Sequence, residues 1–137
     1  GRLNLSGGLR SGLSDITFAG AGTIEVKTTS LVTGGNVVKN DAGTLLFSLA
    51  NTYGGSTLVN AGTLRAGLAN VLPARSPLVV AAGATFDPNG LGQSIGSLAG
   101  AGSVHNSSTS TSAATITVGR NDNSTLFTGT LGIQCGP

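Results

Sequence analysis

The hexapeptide Ala42-Gly43-Thr44-Leu45-Leu46-Phe47 returns 19 residues later as Ala61-Gly62-Thr63-Leu64-Arg65-Ala66. Outward from this pair, the motif Gly-x-(Leu/Ile/Val)-x also heads Gly1-Arg2-Leu3-Asn4, Gly22-Thr23-Ile24-Glu25 and Gly102-Ser103-Val104-His105. A looser copy, Gly83-Ala84-Thr85-Phe86, carries its large apolar residue one place late. Successive copies lie 21, 21, 19, 21 and 19 residues apart, and Gly129-Thr130-Leu131-Gly132 follows after 27. The excess in that last interval falls on Asn106 to Ala114, a Ser/Thr-rich run that reads as a loop bulging from a regular coil.

Within each copy the apolar residues alternate. Ile24 and Val26 flank Glu25, Leu45 and Phe47 flank Leu46, and Leu64 and Ala66 flank Arg65. A period of two is the strand pattern, whereas helical repeats need longer units with a 3.6-residue period. About 20 residues hold roughly three short strands and three tight turns, which is one coil of a parallel β-helix. The expectation is an all-β solenoid of about six to seven coils, with residues 1–137 as a single segment.

In such a stack Leu3, Ile24, Leu45, Leu64, Phe86, Val104 and Leu131 form one interior column. Each buried aliphatic side chain is worth roughly 1.5–3 kcal/mol, so the column supplies on the order of 10 kcal/mol before entropy is counted. Gly22, Gly43, Gly62, Gly83 and Gly102 precede it, at corners where positive φ or close backbone approach is needed. No coil buries its apolar face alone, so stability belongs to the stack.

Composition narrows the function. Only 9% of the 137 residues are charged and the net charge is +2, so no basic patch exists to neutralise phosphates and a nucleic-acid partner is not expected. Mean hydropathy is +0.26, which argues against disorder. Residues 88–119 carry no charge but are full of Gly, Ser and Thr, unlike a membrane span. A single cysteine, Cys135, builds neither a disulfide framework nor a cysteine zinc site. The chain opens on Gly1 and reads as an excised or processed segment of a longer protein, any signal peptide lying outside it.

Val38 to Gly67 resembles the passenger-associated transport repeat, also called the autotransporter-associated β-strand repeat. Lys39, Gly43, Thr44 and Leu45 carry the likeness, with Asn51, Thr52, Tyr53, Gly55, Thr57, Val59, Gly62, Thr63 and Leu64. Segments 82–86, 94–104 and 126–131 look like its continuation, so the resemblance covers about residues 37–133. Asp41 and Leu49 stand where the family usually has glycine. The resemblance implies a right-handed parallel β-helix, the passenger of a type V secreted protein at the bacterial cell surface or outside the cell. It also implies an outer-membrane β-barrel elsewhere in the same polypeptide, and a stalk without catalytic residues of its own. Passengers of this kind generally lack cysteine, so Cys135 is read as a free thiol or an intermolecular disulfide.

Candidate chemistry is sparse. The acids Asp15, Glu25, Asp41, Asp87 and Asp122 fall at differing phases, poorly placed for a hydrolytic carboxylate pair. His105 sits at an outward position, and a triad would want a nucleophilic Ser and an acid positioned by it. Asp87-Pro88-Asn89-Gly90 and Arg120 to Ser124 read as polar turns, the latter lacking a calcium-loop pattern. Three glycosylation sequons, beginning at Asn4, Asn106 and Asn123, are weak signals. Asn51 is expected at a turn with its side chain satisfying backbone groups, and Tyr53 packed at the same corner. The chain is therefore expected to be a structural stalk, with no catalytic, cofactor or metal site, that associates end to end with copies of itself. An adhesin flank is the alternative, and a polysaccharide-acting enzyme ranks last.

Overall fold

The structure, a computed structural model, describes residues 1–27, 30–110 and 113–133. All described regular elements are strands: β1 Arg2–Leu5, β2 Ile16–Phe18, β3 Thr23–Val26, β4 Val37–Lys39, β5 Thr44–Phe47, β6 Thr57–Val59 and β7 Thr63–Ala66. They continue with β8 Pro77–Val80, β9 Thr85–Asp87, β10 Gln93–Ile95, β11 Ser97–Ala99, β12 Ser103–Asn106, β13 Ile116–Val118 and β14 Thr130–Ile133. Every pairing between them is parallel. A seven-stranded sheet runs β1-β3-β5-β7-β9-β12-β14, and a five-stranded sheet runs β2-β4-β6-β8-β11. The chain passes between the two sheets on each circuit, so it is a parallel β-solenoid.

The seven-stranded sheet pairs Leu3 with Ile24, Ile24 with Leu45, Leu45 with Leu64, and Leu64 with Phe86. Phe86 pairs with Val104, and Val104 with Leu131. Alternation along strands three and four residues long, repeated at one phase, thus puts all seven on one line. Leu45, Leu64 and Phe86 are fully buried. The ends of the line differ from expectation: Leu3 is 54% and Leu131 is 70% exposed, and Ile24 is half-buried. Terminal strands have a neighbouring coil on one side only, so their inward side chains stay open to water.

The turn count is also smaller than the motif count. About five circuits cross both sheets, while the circuit from β12 to β14 meets the second face only through the isolated Gly100–Phe127 bridge. The chain between Asn106 and β13 supplies the extra residues of that circuit, and β13 pairs with β10 on a third face. On the earlier circuits the third face is an irregular corner carrying Leu31, Asn51 and Val71, all buried. The core between the faces includes Phe18 and Phe47, whose rings meet edge to face at 6.4 Å.

Gly83 follows the looser spacing of its motif. Thr63 pairs with Thr85, so the residue stacked above Gly62 is Ala84, and Gly83 lies one place outside the column. Gly83 has φ +82° with open space at its Cβ position, a turn that needs left-handed backbone. Gly43 is different, because a Cβ there would stand 2.2 Å from the carbonyl oxygen of Gly22. The coils approach closest at this line, and any side chain would push two of them apart. Asp41, where glycine is usual in the repeat, adopts φ 60°, a region that aspartate enters more readily than most residues. Leu49, the other departure, does not take a positive φ.

Gly43→Ala is expected to destabilise the fold by about 1–3 kcal/mol through overpacking. Gly83→Asn should cost much less, since asparagine tolerates left-handed backbone. Urea unfolding followed by circular dichroism checks the order of the two variants.

Candidate functional site

Polar side chains enter the solenoid at its corners, and each is spent on a neighbouring coil. Asn51 Oδ1 accepts the Leu31 backbone N–H at 3.0 Å, and its Nδ2 donates to the carbonyls of Val71, at 3.0 Å, and Leu49. Two coils up, Gln93 Oε1 accepts the Val71 N–H at 3.0 Å while its Nε2 donates to Leu68 O at 2.9 Å. The two buried amides supplement the sparse backbone bonds between coils at this corner, such as Asn51 N–H to Val71 O at 3.1 Å and Asn70 N–H to Gly92 O at 3.0 Å. Gln93 was not legible as inward, because its partner groups lie 22 and 25 residues away.

Tyr53 is buried at the next corner, its hydroxyl 2.6 Å from Thr57 Oγ1. Thr57 Oγ1 contacts Ser76 Oγ at 3.2 Å, which donates to Gly55 O at 2.9 Å. Burial pushes the Tyr53 phenol above its ordinary range, so it stays protonated within this hydroxyl chain. Lys39 points inward between Phe18 and Val59 and is only 2% exposed. Its Nζ donates to the carbonyl oxygens of Asp41, at 2.7 Å, Asn40 and Ala61. Burial lowers its pKa, with the nearby Asp41 carboxylate acting in the opposite sense.

The carboxylates do not converge. Asp15 accepts the Asn36 N–H and Asp41 accepts the Gly20 N–H. Glu25 is held by Arg2 and, at 2.6 Å, by Ser48 Oγ. Asp87 pairs with Arg65 Nε at 3.3 Å and accepts both the N–H and the hydroxyl of Ser107, which ties the start of the Ser/Thr-rich run to the sheet. Asp122 sits in a turn at φ 57°, and His105 lies exposed on the outside of β12. The Asp87–Gly90 stretch is a turn with φ 53° at Asn89 and 76° at Gly90, closed by Leu91 N to Pro88 O at 3.0 Å.

Among the described residues no group of three His, Cys, Asp or Glu could hold a metal ion, and no buried side-chain nitrogen or oxygen lacks a partner. An apolar cavity of about 210 Å³ opens at the last circuit, lined by Pro88, Leu98, Val104, Ile116, Val118 and Leu131. Its walls are the interior positions of the terminal coils. Gly22, Gly43, Gly62 and Gly102 line the close-packed corner, whose Cβ positions all lie within 2.5 Å of a backbone carbonyl. Cys135 lies outside the described residues.

A parallel solenoid whose buried polar groups, among the described residues, all find partners within a coil or on the next one is a repeat scaffold. Residues 37–66 match the passenger-associated-transport-repeat family. The chain is 39% identical over 125 residues, 90% of its length, to a protein named adhesin BmaC autotransporter, from Brucella suis biovar 1 (strain 1330). It spans 4% of that relative's length. No solved structure matches the chain. Residues 37–66 are thus similar to a passenger-associated transport repeat and most of the chain to a stretch of an autotransporter, a likeness that indicates a surface-displayed or extracellular passenger segment.

Asn51→Leu should orphan the Leu31 N–H and cost about 1–3 kcal/mol. Hydrogen exchange checks this, with the Leu31 amide losing protection ahead of the strand amides. Glu25 gives a pH effect. The Ser48 hydroxyl first, then Arg2, holds its carboxyl below the usual carboxylate range. A depressed folded-state pKa contributes stability that is present above about pH 4.3 and is lost as pH falls through the folded value. Glu25→Gln should therefore flatten the acid limb of a thermal-melt series and leave its slope near neutrality unchanged.

Proposed function

We propose that this segment is a non-catalytic, rigid β-solenoid stalk within a surface-displayed passenger, wound right-handed as parallel crossovers almost always are. The observation that carries the reading is the unbroken seven-stranded parallel ladder, with no buried side-chain nitrogen or oxygen left without a partner among the described residues. An outer-membrane β-barrel elsewhere in the polypeptide would export it. Coils that stack outside the cell would bias the chain outward, because each new rung releases free energy without ATP.

The exposed Leu3 and Leu131 are apolar sites on which further coils, or a second copy end to end, would pack. A disulfide through Cys135 would reinforce such a contact in an oxidising environment. A second reading is an adhesin flank, favoured by the name of the Brucella relative. The exposed outer face of the seven-stranded sheet, with Arg2, Asn4, Arg65 and His105, is where a host glycan or protein would bind.

Leu45→Asp or Leu64→Asp places a charge in the column and should cost several kcal/mol. Surface display of the full passenger, read by antibody on intact cells, is expected to fall for both variants. Normal display would refute the stacking-driven export step.

A further inference from the structure

The two sheets present unlike outer faces. On the seven-stranded sheet the outward row is Asn4, Glu25, Leu46, Arg65 and Asp87, largely polar and ion-paired within the chain. On the five-stranded sheet the outward row is Thr17, Val38, Leu58, Val79 and Ala99, joined rung to rung by the strand register. Val38, Leu58 and Val79 are each half-exposed at the centre of this row, between Lys39, Val59 and Val80 pointing the other way. The row carries no charge and is roughly 19 Å long at 4.8 Å per rung.

Charge appears at one edge. Asp15 is exposed immediately before β2, where its Oδ1 accepts the N–H of Asn36 on the next rung. Arg75 is exposed on the turn before β8, three rungs away along the same edge, roughly 14 Å. Neither takes part in the ion pairs of the described residues, which are Arg2–Glu25 and Arg65–Asp87. The strand register puts Leu13, Gly34, Gly54 and Arg75 in one column on that edge. Leu13 is 88% exposed and leans over Gly34, so bare glycine backbone separates it from Arg75.

We propose that the outer face of the five-stranded sheet is a lateral interface with a second copy of this chain, related by a two-fold axis along the strand direction. That axis keeps the strand-start edges together and reverses the order of rungs. It lays β4 over the partner's β6 and β2 over the partner's β8. Val38 then meets Leu58 and Thr17 meets Val79, with matching rung spacing on both sides and sheets stacked about 10 Å apart. Asp15 faces the partner's Arg75 twice over, and the apolar stem of that arginine lies against Leu13. A two-fold axis along the solenoid would instead set each strand-start edge against a strand-end edge and leave both charges without partners. The occupant is thus selected by charge and spacing together. The inference rests on the sheet register alone and does not depend on how the passenger is exported.

The face is smaller than the roughly 800 Å² a side of a stable complex, so one segment pairs weakly, on the order of 0.1–1 mM. A longer passenger would multiply the contact along its length. Sedimentation equilibrium of the 137-residue chain with Cys135→Ser, up to about 1 mM, should show a monomer–dimer equilibrium without larger species. Asp15→Arg alone and Arg75→Asp alone should each weaken it at least about tenfold through like-charge contacts. Mixing the two variants should restore it, because the heterodimer sets opposite charges at both corners.

In the same background, Thr17→Cys and Val79→Cys chains should cross-link through a short bis-maleimide when mixed, since sheets about 10 Å apart lie beyond disulfide reach, and neither should do so alone. This readout does not touch the Asp15 turn, so it holds if that turn frays. A wild-type chain that stays monomeric to 1 mM overturns the proposal, as do single reversals without effect or a mixture that fails to recover. Open-ended polymers insensitive to both charge reversals would point to the terminal coils instead. Monomer with unchanged circular dichroism would remove the interface and leave the stalk reading intact.

Discussion

Backbone hydrogen bonding between successive coils is the constraint from which the other features follow. A parallel ladder holds its rungs about 4.8 Å apart and aligns residue on residue, so each circuit must have nearly the same length and the same phase of inward side chains. The Gly22–Gly43–Gly62 line shows how tight this is, since a single Cβ at Gly43 would fall 2.2 Å from the carbonyl of Gly22. Extra residues can leave the circuit only outward. The longest interval between motifs begins after Asn106, and Ser107 at its start is fastened to Asp87.

A structure built this way has few places for a reaction. The side chains that elsewhere would make a site are consumed in keeping corners dry: Asn51 and Gln93 as substitute backbone groups, Lys39 as an internal cation over three carbonyls, Tyr53 within a hydroxyl chain. What remains for function is the outside, and there the register turns single residues into stripes. The seven-stranded face carries ion pairs and polar groups, while the five-stranded face carries Val38, Leu58 and Val79. A scaffold with one polar and one apolar flank distinguishes its neighbours by the side from which they approach.

The fold was legible because its periods are local. A two-residue alternation nested in a 19–21-residue repeat has few physical solutions, and the column from Leu3 to Leu131 follows directly from counting. Asn51 was legible as a turn amide for the same reason. Gly83 was legible as a corner glycine one place out of phase, but glycine spacing does not distinguish a left-handed turn from a close contact, whereas the structure gives it φ +82° with open space at its Cβ position. The number of complete circuits was overestimated because a motif can form a rung on one face while the second face has already lost its strand.

Sequence alone therefore determined the strand period, the coil length and the aliphatic spine, all set by spacing within some 20 residues. Tertiary structure decided the fate of the polar residues. Glu25, although on the outward phase, is covered by Arg2 and Ser48, residues 23 positions away on either side. Lys39 is inward for the converse reason, that three carbonyls from two coils meet where its ammonium can reach them. Arg2 and Ser48 beside Glu25, and the Ala61 carbonyl beside Lys39, become neighbours only when coils stack, and no period in the chain encodes which side chain a given corner will leave without water.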